Sequence, residues 1–196
     1  MKFLPILLSC LLFVGMSPAP SPKTSAELAK IVSQSVVQVN YPVEEGGISN
    51  CTGFVIDAAK GWVLTVAHCV SPKADITVNQ APSKLLKSGD QLALLSIEPM
   101  SRPPLDLRGD SPALGDAAYT MGYGFGILTW LSRNVAGFNG LDLALDGTIV
   151  SGMSGGPMVD TFGRVIGINQ GNAVGSGGAI AYGCSTKEIK EFLKGL

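Results

Sequence analysis

At 196 residues the chain has room for one domain, or for two small lobes sharing an interface, at roughly 100–200 residues per domain, which excludes a multidomain assembly. Hydrophobic residues make up 46% of it and charged residues 15%, a balance that excludes intrinsic disorder. A formal net charge of −1 excludes a nucleic-acid binder that works by neutralising phosphates, because no Lys/Arg excess exists to release counterions. The 25 Gly and 12 Pro follow no collagen-like period and point instead to many turns between short strands.

Residues 1–16 (MKFLPILLSCLLFVGM) place a single Lys2 before an apolar run too short to span about 30 Å of hydrocarbon as a helix, which is the pattern of a secretory signal. Residues 1–22 therefore divide into signal and Pro/Ser linker, with the folded part at 23–196 and an extracytoplasmic location, secreted or periplasmic. Leu7-Leu8-Ser9-Cys10 also resembles a bacterial lipobox, so Cys10 is either a lipid-anchor site or an ordinary residue of the signal.

The folded part opens on AELAKIVSQ, a short helix with Ser25 as its candidate N-cap. Short β-like runs follow at regular spacing, SVVQVNYP, CTGFVIDA, GWVLTVAH, DITVNQ and QLALLSIE, each bounded by turn residues. They make a first lobe of about 26–100. Residues 101–116 hold Pro103, Pro104 and Pro112 with no strand or helix period, and read as an extended crossing. A second strand series, AAYTMGYG, GILTWLS, LDLAL, GTIVSG, PMVDT, RVIGINQ and GGAIAYG, makes a lobe of about 117–184. Residues 185–194 form a C-terminal helix, with Ser185 as cap, Glu188 three residues on and Ile189, Phe192 and Leu193 as its apolar stripe. The fold class is all-β with a terminal helix.

His68 is the only histidine, so no His-based metal cluster is expected, and neither a metal nor a cofactor is called for. It stands in Thr65-Val66-Ala67-His68-Cys69, directly after an apolar strand. Far downstream lies Gly152-Met153-Ser154-Gly155-Gly156-Pro157, where glycines around a serine allow backbone N–H groups to converge on a developing oxyanion. Cys51 and Cys69 flank a strand-turn-strand pattern and are the favoured disulfide pair in an exported chain. Cys184, in AIAYGC, is then the odd cysteine and reads as a buried, inert thiol.

Together these motifs resemble the trypsin-like serine proteases of the chymotrypsin fold, and SVVQV, TGFVID, PPLDLRGDSPALGD, MGYGFG and GRVIGINQG are similar to successive segments of their bacterial Deg/HtrA branch. The resemblance spans about residues 26–194. It implies two six-stranded antiparallel barrels with a cleft between them, no PDZ domain after the terminal helix, and an exported serine endopeptidase acting on polypeptides. It also implies His68 as general base, Ser154 as nucleophile, the N–H groups of Gly152 and Ser154 as oxyanion hole, and a Cys51–Cys69 disulfide bracketing the histidine loop.

The third triad position departs from the family's pattern. The family sets its aspartate two residues before the Ala of a D-x-A-L-L strand, and here Ala93 has Gln91 at that place with Asp90 one residue earlier. Because strand side chains alternate faces, Asp90 needs a bulge to reach the histidine; Asp90 is the favoured candidate and Gln91 the alternative. Asp142-Leu143-Ala144-Leu145 matches the strand pattern but falls in the second lobe and is assigned to structure. The family's pocket positions map to Thr148, Gln170, Gly171, Asn172, Gly178 and Ala179. None is charged, which favours small or medium apolar residues over Arg/Lys before the cleaved bond. The rival reading is a catalytically impaired module that binds extended peptides.

Overall fold

A computed structural model describes residues 21–43, 46–70, 75–176 and 178–196; the signal segment and Cys10 lie outside them. Helix α1 (Ser25–Val32) is followed by β1 (Val36–Pro42), β2 (Ile48–Asp57), β3 (Trp62–Val66), β4 (Thr77–Val78), β5 (Ala81–Pro82), β6 (Lys84–Ser88) and β7 (Leu92–Ser96). The second lobe holds β8 (Ala117–Gly124), β9 (Ile127–Asn139), β10 (Asp142–Asp146), β11 (Pro157–Val159), β12 (Val165–Gly175) and β13 (Gly178–Ser185), and α2 (Thr186–Phe192) ends the fold. Among the described residues no helix is long and apolar enough to cross a membrane.

The second lobe is the six-stranded closed barrel that the resemblance implies, in the order β10-β13-β12-β11-β8-β9. The first lobe differs in detail. Its seven strands lie in the order β5-β4-β1-β2-β3-β7-β6 without closing among the described residues, because β4 and β5 are two-residue strands and offer too few ladder bonds to zip the edges. Strands β3 and β7 are buried almost throughout and carry near-continuous apolar runs, whereas β6 alternates exposed Lys84, Leu86 and Ser88 with half-buried Leu85 and Lys87, a pattern in which charge and apolarity do not follow the two faces. The decoy segment 142–145 is β10, with Leu143 and Leu145 buried in the second barrel's core beside Met153 and Ile166.

Two caps differ from expectation. Thr24, not Ser25, caps α1, in a capping box with Glu27, which frees the Ser25 hydroxyl to accept from Trp130 Nε1 at 2.9 Å. Ser185 occupies the N-cap of α2, but its side chain makes no capping bond, and Glu188 Oε2 is buried without a partner.

The crossing is tied to both lobes: Leu105 N–H donates to Val55 O, and Arg108 N–H donates to Val165 O. Arg108 closes on Asp110 with two bonds of 3.1 Å and faces Asp116 and Asp160, so this Arg-Gly-Asp tripeptide is paired with itself. The lobes also share a core. Phe54, Val63, Leu64 and Leu95 of the first lobe cluster with Met121, Val159, Val165 and Ile168 of the second, so the loops of both lobes are held rigidly along one seam.

Candidate active site

His68 lies on a 3-10 turn, Ala67–Cys69, that follows β3. That turn is fixed from two sides. Cys69 is bonded to Cys51 of β2, with the two Cα atoms 5.9 Å apart, and Ala67 N–H donates to Gln91 O at 2.8 Å. The imidazole is open to solvent on one side, yet what burial it has holds its pKa below the ordinary histidine value, while a side-chain hydrogen bond with Gln170 acts the other way. Cys51, His68 and Cys69 bring three donor atoms together, but the two sulfurs are joined to each other and offer a metal no thiolate.

The Ser154 loop is docked on the first lobe through Thr52 of β2. Thr52 N–H donates to Ser154 O at 2.8 Å, and its hydroxyl donates to Gly152 O at 2.7 Å while accepting from Tyr123 N–H at 2.8 Å. Gly152 and Gly155 have φ of +94° and +83°, and a Cβ at Gly152 would lie 2.4 Å from Tyr123 O, so glycine is required there. Ser154 Oγ donates to Gln170 O at 3.1 Å and makes no hydrogen bond to His68; nucleophile–base bonds of this kind often form only once substrate is bound.

Peptide planarity then aims two donors. The carbonyl of Ser151 accepts from Phe125 N–H at 2.8 Å, and the carbonyl of Met153 accepts from Gly156 N–H at 3.0 Å and from Asn169 Nδ2 at 3.3 Å. In a trans peptide the N–H points opposite to the C=O, so Gly152 N–H and Ser154 N–H both turn away from those anchored carbonyls. Neither donates to another described residue.

Asp90 is not beside His68, and this corrects the favoured assignment. Residues 89–91 form the hairpin turn between β6 and β7, with Gly89 N–H bonded to Leu92 O, and Asp90 stands exposed at its corner. Among the described residues no carboxylate forms an ion pair with His68. Gln91 is not there either: its Oε1 accepts from Cys184 Sγ at 3.3 Å. Gln170, expected as a pocket residue, donates through Nε2 to Gln91 O at 2.9 Å and to Cys184 Sγ at 3.2 Å. The signal in the sequence was two adjacent amides, Asn169-Gln170, inside an otherwise apolar strand.

Of the other pocket positions, Asn172 pairs its side chain with both backbone groups of Ile149, Oδ1 accepting from N–H at 2.9 Å and Nδ2 donating to O at 2.8 Å. Thr148 is exposed and its carbonyl accepts from Arg133. Gly171 and Asn172 pair across the hairpin with Tyr182 and Ala181, whereas Gly178 and Ala179 pair with Gly175 and Val174 at its tip. At about 3.3 Å per strand residue, that tip lies on the order of 16 Å beyond Gln170. The family spacing thus fails for those two residues, because the hairpin is longer than the spacing assumes.

The model of the trypsin-like peptidase domain matches residues 51–168, which include both His68 and Ser154. Periplasmic pH-dependent serine endoprotease DegQ of Escherichia coli (strain K12) is 32% identical over 151 residues, covering 67% of this chain and 33% of that protein. Mitochondrial serine protease HTRA2 of Bos taurus is 29% identical over 216 residues, covering 90% and 45%. The chain thus spans about a third to a half of these relatives' lengths. In fold it is similar to the serine endoprotease from Yersinia pestis, with TM-score 0.76 and 23% identity over 88% of this chain and 66% of that one. The active form of the Rv3671c protease from M. tuberculosis gives TM-score 0.76 and 20% identity, covering 96% and 93%. With a matching family model over more than half its length, laid on a closed second barrel and a disulfide-pinned histidine turn, the chain belongs to the trypsin-like peptidase family.

Proposed function

We propose that the protein is an exported serine endopeptidase that cleaves polypeptides through an acyl-enzyme. One observation carries this reading: Ser154 sits between anchored peptides whose N–H groups are uncommitted, in a chain whose only histidine lies on the turn that ends at Cys69, with Cys69 Sγ 3.8 Å from Ser154 O. Ser154 Oγ attacks the peptide carbonyl, His68 accepts its proton and later returns it to the leaving amine. Gly152 N–H and Ser154 N–H receive the oxyanion, each donor contributing roughly 3–4 kcal/mol in the transition state.

The pocket positions Thr148, Gly171 and Asn172 carry no charge, which supports small or medium apolar residues before the cleaved bond. Relatives named as periplasmic proteases and the Cys51–Cys69 disulfide support an extracytoplasmic location. A fluorophosphonate probe should label the wild type, leave Ser154→Ala unlabelled, and be accompanied by cleavage of an unfolded polypeptide. Among the described residues no carboxylate pairs with His68, which favours a second reading, a peptide-binding module with little turnover; that protein would bind unfolded chains and take no label.

Asp90→Asn tests the triad assignment directly. With Asp90 exposed at its hairpin corner, kcat/KM should stay within about threefold of wild type, since a group remote from the reacting atoms contributes no transition-state stabilisation. A loss of 10²-fold or more, the size expected from favouring the wrong tautomer, would return Asp90 to the site.

A further inference from the structure

Three hydrogen bonds connect the Ser154 hydroxyl of the second lobe to the histidine turn of the first, and Gln170 makes two of them. Its backbone carbonyl accepts from Ser154 Oγ at 3.1 Å, and its side-chain Nε2 donates to Gln91 O at 2.9 Å. The same Gln91 carbonyl accepts from Ala67 N–H at 2.8 Å, and Ala67 is the residue next to His68. A backbone carbonyl only accepts, so the end of the Gln170 amide at Gln91 O is the NH2 group.

The local structure holds that amide from both ends. Gln170 stands where the β12–β13 register shifts between Asn169 and Gly171, so that consecutive residues Asn169 and Gln170 are both buried instead of alternating between faces. Asn169 is stitched to the Ser154 loop, its O accepting from Gly155 N–H at 2.8 Å and its N–H donating to Gly156 O at 2.9 Å, so the backbone before Gln170 moves with the nucleophile. At the far end, Nε2 also donates to Cys184 Sγ at 3.2 Å, and Cys184 Sγ donates to Gln91 Oε1 at 3.3 Å. Gln170, Cys184 and Gln91 thus close a ring across the lobes. Burial pushes the Cys184 thiol up to about 12, so it keeps the proton that it donates, and Glu188 on α2 lies behind it with a carboxyl that burial raises above the ordinary glutamate value.

Resting on the serine-peptidase reading above, we propose that Gln170 is a positioning residue: by donating its side-chain amide to Gln91 O it ties the Ser154 loop to the turn that carries His68, and so fixes the separation of nucleophile and base across the seam between the lobes. It acts through backbone on both sides, its own carbonyl at Ser154 and the Gln91 carbonyl at Ala67, and it transfers no proton. Asp90 stands exposed and Gln91 turns its side chain to Cys184, so neither of the residues expected beside the histidine performs this task. An amide suits the place, because its two N–H groups meet two acceptors and bring no charge into the seam. The precision matters for rate, since a misplacement of about 1 Å between reacting groups is enough to cost on the order of 10²-fold.

Gln170→Leu, which keeps the size and removes the donor, should lower kcat on the order of 10²-fold with little change in KM, and should slow fluorophosphonate labelling of Ser154 by a similar factor. Gln170→Glu can donate to Gln91 O only while its carboxyl is protonated, so its kcat relative to wild type should rise as pH falls, which a residue acting by bulk alone would not produce. The ratio is used because His68 titrates in both proteins. In 15N-labelled wild type, the Gln170 side-chain protons should exchange with solvent on the order of 10²-fold more slowly than those of a free glutamine side chain. Exchange at the free rate would overturn the bridge even if no variant folds. A folded Gln170→Leu protein with wild-type kcat and labelling rate would overturn the positioning role, as would a Gln170→Glu protein whose relative rate rises with pH, the mark of an acceptor. If wild-type Ser154 takes no label while the Gln170 amide is protected, the peptidase reading fails and the bridge between the lobes stands.

Discussion

His68→Ala and Ser154→Ala are each expected to lower kcat on the order of 10⁴-fold or more, and the double variant should lose little beyond either alone, because nucleophile and base act as one unit. His68 is the only histidine, so no other side chain has an ordinary pKa near neutrality from which to take the Ser154 proton. Burial holds that pKa below the usual value of 6.5, which leaves the ring in its basic, neutral form at pH 7. The acid limb of kcat/KM should therefore fall below pH 6.5 and disappear in His68→Ala. The sign for stability is the same: a depressed folded-state pKa means that the contribution is present above 6.5 and lost as pH falls through the folded value. Neither substitution threatens the fold. Ser154 anchors its loop through its backbone carbonyl, and the His68 turn is held by Ala67 and Cys69. Wild-type peptidase rates in both variants would remove these residues from the chemistry.

The residues that mark this site in the sequence are those whose roles depend on local pattern. Thr65–Cys69 follows an apolar run that can only be a buried strand, and the glycines around Ser154 announce a turn with exposed N–H groups; both appear in the structure where the motifs put them. Strands β1, β2, β3, β7 and β8 are legible for the same reason, since alternation or continuous apolarity is written in five to ten consecutive residues. What escapes is nonlocal. Strand β6 is carried by its pairing with β7, since its sequence KLLKS sets two leucines side by side and shows no polar–apolar alternation. Gln170 reaches Gln91 O of the first lobe from a register irregularity in the second, and nothing within either segment specifies that meeting. Asp90 failed as a candidate because a tight hairpin turn, rather than a bulged strand, precedes β7.

Gly155→Ala should destabilise the protein by about 4 kcal/mol or more, which is the range of severe overpacking and backbone strain combined. A Cβ at this position would lie 2.0 Å from Thr52 O and 2.4 Å from Thr65 Oγ1. Both neighbours are buried and bonded to each other, Thr65 Oγ1 donating to Thr52 O at 2.7 Å, so neither can move aside without breaking that bond. The φ of +83° at Gly155 adds strain that an L side chain rarely accepts. The loop cannot simply lift off, because Gly155 N–H is bonded to Asn169 O at 2.8 Å and Ser154 O to Thr52 N–H at 2.8 Å. Any relaxation therefore displaces Ser154 or tilts β2 against the second barrel, and a displacement of about 1 Å at a nucleophile is enough to remove on the order of 10²-fold in rate. Urea unfolding should show a large drop in midpoint at unchanged slope, with Gly109→Ala, whose Cβ would meet nothing within 4 Å, as the neutral control. If Gly155→Ala unfolds at the wild-type midpoint and still takes the fluorophosphonate label at the wild-type rate, the Ser154 loop is not packed on β2 as described.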